Sequence, residues 1–321
     1  MSKTLLGRLL VACATCAVAA CGGGGGGSVG SGVISTPPPP ATTKVCPGGQ
    51  VIPATDPCPA PPPPPPASVS IFPSITTNTE FAVLGLEAGG LNTPASALTM
   101  NDFRVRYDAA DQAYLIDLPS TDEFRFDSIG ADASYWYGGV GGGFYFDTYI
   151  DVFKPTSTNP EIQLAYTSFG ITSGYYHSQF GFFAFGSATP SSGVPVTGTA
   201  NYNALIAGAP LDINGLIKGD ATFQFNFGNG TLGGHFDPIL RYGGVETSLG
   251  SYNFVSTIFG VGSATFAGGL SHSGTSSLGA FDGRFTGPAA QELMARWTAP
   301  YLNPSTHQWN EMFGVMVGKK Q

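Results

Sequence analysis

The chain has 321 residues, which is enough for two domains or for one large all-β domain. Glycine (46 residues), Phe (23) and Tyr (13) are abundant and charged residues make up 11% of the chain, a balance that disfavours long helices and favours short strands joined by tight turns. The formal net charge of -8 argues against nucleic acid as a partner, because DNA and RNA attract basic surfaces. We therefore expect an all-β protein.

Residues 1–20 have the features of a secretory signal peptide. Two basic residues precede the apolar stretch 9–20, which is too short to span a bilayer comfortably. The sequence VAAC at residues 18–21 resembles a bacterial lipobox, which implies cleavage before Cys21 and anchoring in membrane lipid through the acylated cysteine. Lipoproteins that are retained in the inner membrane carry Asp directly after the acylated cysteine. Here that position is Gly22, which favours the outer membrane as the location. The alternative is an ordinary secretory signal whose cysteines are incidental.

Residues 21–67 have the composition of a tether. A polyglycine run predicts flexible coil and two proline runs predict stiff polyproline segments, so we expect the folded part to be held away from the bilayer. Cys46 and Cys58 remain after cleavage of the signal. In an oxidising compartment a local disulfide is the expected pairing, since a metal site would need more ligands and no His lies nearby.

Residues 68–190 contain alternating segments that predict a β-rich domain. The segment DFRVRYD, for example, alternates three apolar side chains with two arginines, and Asp, Pro, Ser and Gly punctuate the segments as turns. Most of the aromatic side chains are expected in the core. The alternative for Trp136 and Tyr137 is a loop tip where they contact a ligand.

Residues 191–321 alternate more regularly and contain about eight candidate strands, the number found in a small closed antiparallel barrel. The segment GDATFQFNFGNG places Phe223, Phe225 and Phe227 on one face and polar residues on the other, before a hairpin turn. An apolar interior and a polar exterior are typical of a soluble barrel, whereas a membrane barrel has an apolar outer band. We expect side chains to fill this interior, leaving no ligand cavity.

A predicted strand near the C-terminus ends at a Gly-Pro pair. Phe281, Gly283 and Phe285 alternate with polar residues, and Gly287 and Pro288 then end the strand because proline has no N–H for the ladder. The following residues PAAQEL predict one helical turn, with proline at its first position, before extended structure resumes.

This segment resembles the G-x-F-x-G-P-x-A-x-E hallmark of the transferrin-binding protein B family of surface lipoproteins. The matching residues, preceded by Phe281, are Gly283, Phe285, Gly287, Pro288, Ala290 and Glu292. The segments GTANY, FQFNFGNGTLGG and FGVMVGKK resemble, in the same order, the first, the second and third, and the last strands of the family barrel. The resemblance covers residues 160–321 and implies a lipid-anchored binding protein with a handle domain (68–190) beside a barrel (191–321).

The chain departs from the family pattern in two respects. Met294 and Ala295 stand where members usually have two glycines. Members that bind transferrin contain two handle–barrel pairs, whereas this chain has room for one. The resemblance therefore implies the fold, the anchor and a binding role, and it does not imply transferrin as the ligand.

Residues that could carry catalysis or bind a metal are scattered. Four histidines lack the spacing of metal ligands: His177, His235, His272 and His307. His235 alternates with apolar residues and is expected to face solvent. Asp147 and Asp151 share a predicted strand face and would suit a glycosidase, although charges that protect a strand edge from aggregation explain them more simply. No phosphate loop or dinucleotide fingerprint occurs, and we expect neither cofactor nor metal.

Three functional hypotheses follow. The first is a non-enzymatic outer-membrane lipoprotein that captures a protein or small ligand, such as an iron or haem source, through barrel and handle loops and passes it to a TonB-dependent transporter. The second is a structural or adhesive envelope lipoprotein without a solute ligand. The third is a hydrolase that uses Asp147 and Asp151.

Overall fold

The structure, a computed structural model, describes residues 43–46, 51–58, 71–72, 74–100, 102–119, 121–126, 139–145, 148–153, 161–174 and 179–321. Several predicted features lie outside these residues: the signal peptide, Cys21, Trp136, Tyr137, Asp147 and His177. The chain divides into two compact units, Met1–Pro63 and Pro64–Gln321. Among the described residues, no helix has the length and apolar character needed to cross a membrane.

The first unit contains a short hairpin closed by a disulfide. Strands β1 (Thr43–Val45) and β2 (Val51–Pro53) pair antiparallel. Cys46 and Cys58 form the disulfide, with their Cα atoms 5.6 Å apart. An isolated two-stranded hairpin is marginally stable in water, so the covalent link stabilises a loop that has little core of its own.

The first half of the second unit consists of two antiparallel sheets, which we call the handle. Its strands are β3 (Thr79–Glu80), β4 (Ala82–Ala88), β5 (Arg104–Asp108), β6 (Ala113–Leu118), β7 (Thr121–Phe126), β8 (Gly139–Tyr145), β9 (Thr148–Phe153), β10 (Thr167–Gly174) and β11 (Phe180–Gly186). The strand orders are β3-β5-β6-β7 and β4-β11-β10-β9-β8. A short 3-10 helix at Ala95–Ala97 lies between β4 and β5, and another at Ser191–Gly193 follows β11. Strand β4 is absent from the predicted strands because its apolar residues occupy both faces.

The larger handle sheet is apolar on both faces. Phe183 and Phe185 of β11 pack in a core between the two handle sheets. Phe182 and Ala184 of the same strand pack in a second core on the opposite side. Neighbouring residues of a strand point to opposite faces, so this sheet needs a partner on each side.

The second half of this unit is a closed barrel. Its strands are β12 (Thr199–Pro210), β13 (Leu216–Asn226), β14 (Thr231–Tyr242), β15 (Val245–Ser248), β16 (Tyr252–Ile258), β17 (Thr265–His272), β18 (Leu278–Thr286), β19 (Glu292–Leu302) and β20 (Trp309–Lys320). The order β13-β12-β20-β19-β18-β17-β16-β14 is closed by pairing of β13 with β14, and β15 extends from β14 as a ninth strand. The predicted all-β fold with an eight-stranded antiparallel barrel is confirmed.

Aromatic rings fill the barrel, as the alternation predicts. The centroid of the Phe225 ring lies 4.8 Å from that of Phe285 and 5.1 Å from those of Phe259 and Phe266. Trp297 is 1% exposed in the same core. Gly208 makes room for its indole, since a Cβ there would lie 2.6 Å from the ring.

The outer face of the barrel departs from the expected polar surface along β19 and β20. Phe313, Val315 and Val317 of β20 and Met294 of β19 point outward, and each is at most 1% exposed. They pack on the larger handle sheet, where the Phe313 ring lies 5.7 Å from that of Phe182. The segment FGVMVG lacks alternation because both of its faces are buried.

Candidate ligand-binding surface

The hallmark segment lies at the joint between barrel and handle. Phe281 and Phe285 point into the barrel core, and Gly283 lies against the Phe266 ring, where a Cβ would approach to 2.5 Å. On the opposite face, the Thr286 hydroxyl forms a hydrogen bond with that of Thr167 at the start of β10. The inward residues are therefore part of the barrel core, and Thr286 on the outward face contacts the handle.

The predicted helical turn after Gly287 is wrong. Residues 287–290 form a non-helical turn in which Gly287 and Ala290 have positive φ angles of 81° and 54°. A helix needs negative φ at every position, so these two residues cannot belong to one. The Gly287 carbonyl accepts a hydrogen bond from Thr189 at 2.6 Å, and a Cβ at Gly193 would lie 2.1 Å from the Pro288 carbonyl oxygen.

Glu292 is a buried carboxylate that joins the barrel to the handle. It is 2% exposed, and its two oxygens accept the backbone N–H groups of Ala165 at 2.7 Å and Tyr166 at 3.0 Å. Burial raises the pKa of Glu292, an effect opposed by these hydrogen bonds, by the Thr167 hydroxyl and by the charge of Lys319. The hallmark residues thus have a structural role at the joint, and none of them presents chemistry to a ligand.

The other candidate residues do not converge. His235 points outward with a side chain that is 45% exposed, as expected, and lies 3.3 Å from Asp237. Asp151 lies on β9, whereas its predicted partner Asp147 is outside the described residues. No group of three or more His, Cys, Asp or Glu side chains with metal-binding geometry occurs in the described part of the chain.

One end of the second unit carries an exposed apolar surface, which we call the distal face. It comprises the handle loop 89–98 and the barrel loops 211–215, 243–251, 273–277 and 303–308 with their flanking residues. Its exposed large apolar side chains are Leu91, Tyr242, Val245, Leu278, Leu302 and Trp309, between 38% and 63% exposed. Apolar residues gathered on neighbouring loops are a typical protein-binding surface.

Hydrogen bonds between the handle and the barrel hold the distal face together. The Asn92 N–H of the handle loop donates to the Leu211 carbonyl at 2.5 Å. The Ala95 N–H donates to the Glu311 carboxylate at 2.7 Å. The face is therefore a composite of both parts and is not carried by the barrel alone.

Asp212 links two of the barrel loops on this face. Its carboxylate accepts hydrogen bonds from the Tyr301 hydroxyl and from the Asn303 side-chain amide, the latter at 2.8 Å. Asn303 is fully buried and in turn accepts the N–H groups of Ser305 and Thr306. Burial and the adjacent Asp212 raise the pKa of Tyr301, so the phenol keeps its proton and donates. The loop 303–308 is thereby held in one conformation.

Trp309 extends this ordered surface toward the next loop. Its ring centroid lies 5.7 Å from that of His272, which lies 4.8 Å from that of Tyr252. The His272 Nδ1 accepts the Gly274 N–H at 3.0 Å. The indole is 38% exposed, so it packs on this aromatic stack and leaves one side open to solvent. Alternation in the sequence does not identify Trp309, because it indicates which way a side chain points and not which loops meet.

No protein-family model and no curated protein matches this chain. Among solved structures, it is similar to members of the family that the hallmark resembles. One is a variant of transferrin binding protein B from Haemophilus parasuis, with 12% identity and a TM-score of 0.46 over 75% of this chain and 44% of that chain. The present chain therefore spans less than half of that protein.

Two shorter proteins are covered more completely. HpuA from Kingella denitrificans, solved in complex with human haemoglobin, has 13% identity and a TM-score of 0.41 over 77% of this chain and 88% of that chain. The N-lobe of lactoferrin binding protein B from Moraxella bovis has 13% identity and a TM-score of 0.31 over 77% of this chain and 100% of that chain. The likeness concerns the fold.

Proposed function

We propose that this chain is a non-enzymatic, lipid-anchored protein of the outer membrane that captures a protein ligand on its distal face. The observation that carries the proposal is the distal face itself, where exposed apolar side chains lie on ordered loops from both handle and barrel. Aromatic side chains fill the barrel interior and leave no room for a ligand there, so the ligand binds on the outer surface. The acylated Cys21 supplies the anchor, and delivery of an iron or haem source to a TonB-dependent transporter is the biological role.

The chemistry of the distal face favours a protein over a small polar solute. Its loops contain two acidic residues, Asp212 and Glu246, both engaged within the chain, by Tyr301 and by Lys218 respectively. A rigid Trp with Leu and Val neighbours provides the kind of anchor that dominates protein–protein interfaces. Binding should therefore depend weakly on ionic strength.

The test is a binding assay on the full chain with Cys21→Ser, which keeps the protein soluble. Immobilised transferrin, lactoferrin and haemoglobin serve as probes. We expect one of them to bind, and Leu278→Ser on the distal face to weaken that binding at least tenfold. Ile258→Ser at the opposite end is the matched control, because Ile258 is also an exposed aliphatic residue, and it should bind as the parent does.

Two outcomes would contradict the proposal. Equal loss of binding in Leu278→Ser and Ile258→Ser would show that the distal face is not the site. Saturable adhesion to cells without binding to any soluble protein or to haem would favour the structural or adhesive alternative.

A further inference from the structure

The end of the barrel opposite the distal face carries a second apolar surface, which we call the anchor-side tip. It comprises the segments 194–198, 227–230 and 258–264. Val196, Ile258 and Val261 are 57%, 73% and 54% exposed there, although each is an aliphatic residue. The proposed function assigns nothing to this end.

The three segments of the anchor-side tip form one continuous surface. A Cβ at Gly262 would lie 3.6 Å from Val196 Cγ1, and a Cβ at Gly230 would lie 3.2 Å from the Val261 nitrogen. The Phe227 N–H donates to the Gly198 carbonyl at 2.9 Å. The exposed aliphatic residues therefore protrude from loops that support each other over the barrel core.

The tip presents almost no charge. Its three segments, VPVTG, FGNG and IFGVGSA, contain no charged residue. Lys320 lies beside the tip, with its Nζ 6.0 Å from the centroid of the Phe227 ring. The positive charge of Lys319, the preceding residue, is close to the buried carboxyl group of Glu292, which offsets it. Aliphatic side chains beside a lysine can enter the headgroup region of a bilayer without desolvating an acid, and the lysine can reach lipid phosphates.

The described residues of the second unit begin at the tip end of the barrel. Phe72, among the first described residues of the unit, packs on Phe185 near the end of β11, with ring centroids 5.8 Å apart. Three residues later, Ala188 bridges to Thr286, the last residue of β18 and therefore at the tip end of the barrel. The handle loop that meets the distal face, at Asn92, lies at the other end of β4. The segment that carries the proposed anchor at Cys21 is therefore joined covalently to the second unit at this end.

We propose that the anchor-side tip docks on the phospholipid surface that holds the anchor, with Val196, Ile258 and Val261 inserted among the headgroups. The inference rests on the proposed function, because lipidation of Cys21 is what would keep the tip close to the membrane. Three aliphatic side chains bind a bilayer weakly when free in solution, but a tether of about 50 residues makes the contact intramolecular and raises its effective concentration. Docking would turn the distal face away from the membrane, toward a ligand.

The experiment uses the lipidated full chain reconstituted in vesicles of phosphatidylethanolamine and phosphatidylglycerol. An environment-sensitive fluorophore is attached at Val261→Cys and, in a matched protein, at Leu278→Cys on the distal face. We expect a blue shift and quenching by lipid-borne quenchers at residue 261, and a water-like spectrum at residue 278. Val196→Ser together with Ile258→Ser should abolish the shift at residue 261 while leaving the circular dichroism spectrum unchanged.

Flotation of the vesicles separates failure of docking from failure of anchoring. A water-like label at residue 261 in a chain that floats with the vesicles would overturn the docking proposal. If the chain does not float, lipidation has failed, and a synthetic lipid coupled at Cys21 restores the anchor. The same label is then read again, and a water-like spectrum in that sample also overturns the proposal.

Discussion

The Glu292 carboxylate, at the start of a barrel strand, accepts the backbone N–H of Ala165, which precedes a handle strand, at 2.7 Å. The two residues are 127 positions apart, and the bond lies in a largely buried environment. Hydrophobic burial is non-directional, whereas a hydrogen bond depends on distance and angle, so this contact helps to fix the position of the handle on the barrel. This contact, with those of Asn92 and Ala95 at the other end, explains how the handle and the barrel both contribute to the distal face.

We expect Glu292→Gln to destabilise the fold by about 1–3 kcal/mol at neutral pH, because the amide nitrogen cannot accept the Tyr166 N–H and leaves it buried and unpaired. Urea unfolding followed by tryptophan fluorescence would measure the change. Glu246→Gln is the control, since its exposed pair with Lys218 should contribute at most about 1 kcal/mol. Equal effects in the two variants would contradict a special role for Glu292.

The stability difference between wild type and Glu292→Gln should depend on pH. Burial raises the pKa of Glu292, so the folded chain binds this proton more tightly than the unfolded chain. The contribution of the group to the free energy of unfolding is therefore fully present below the ordinary pKa of glutamate and is lost as the pH rises through the folded-state pKa. We would measure the free energy of unfolding of both proteins from mildly acidic to neutral pH. The difference between them should become smaller as the pH rises. A difference that stays constant with pH would contradict a raised pKa for Glu292 in the folded chain.

Gly314→Ala should destabilise the barrel strongly, by more than about 2 kcal/mol, because its Cβ would meet backbone and cannot be relieved by a rotamer change. That Cβ would lie 2.0 Å from the Ala207 carbonyl oxygen and 2.5 Å from the Gly208 Cα. Gly233→Ala is the control within the same barrel, where a Cβ would find no atom within 4 Å. Thermal unfolding of the two variants compares them directly, and similar melting temperatures would show that the strands can separate at Gly314 without penalty.

Met294→Ala should cost about 2–5 kcal/mol of folding free energy, as expected for truncation of a fully buried side chain. Met294 is 0% exposed in the core between barrel and handle. Met100 is 41% exposed, so Met100→Ala should change stability by less than about 0.5 kcal/mol. Urea midpoints would measure both, and a small effect at Met294 would mean that the apolar core at the joint contributes little to stability.

Several features could be predicted from the residues alone. Period-two alternation in segments such as TFQFNF identifies the strands and their inward faces, since the side chains of a strand alternate by geometry. Short turns such as GNG join neighbouring strands, and eight such strands favour closure. The same reasoning fails at residues 287–290, where Gly287 and Ala290 adopt positive φ in a non-helical turn. It also misses the strand β4, and at β20 it predicts the strand but not the burial of its outer face.

The sequence by itself determined the strands, the inward rings and the composition of the tether, because these depend on the pattern within each segment. The tertiary structure alone decided that β19 and β20 are covered by the handle, that Glu292 finds its partners at Ala165 and Tyr166, and that exposed apolar residues gather at the two ends of the second unit. These features depend on contacts between residues that are far apart in the chain. A pattern with a period of two residues contains no information about which distant loops meet.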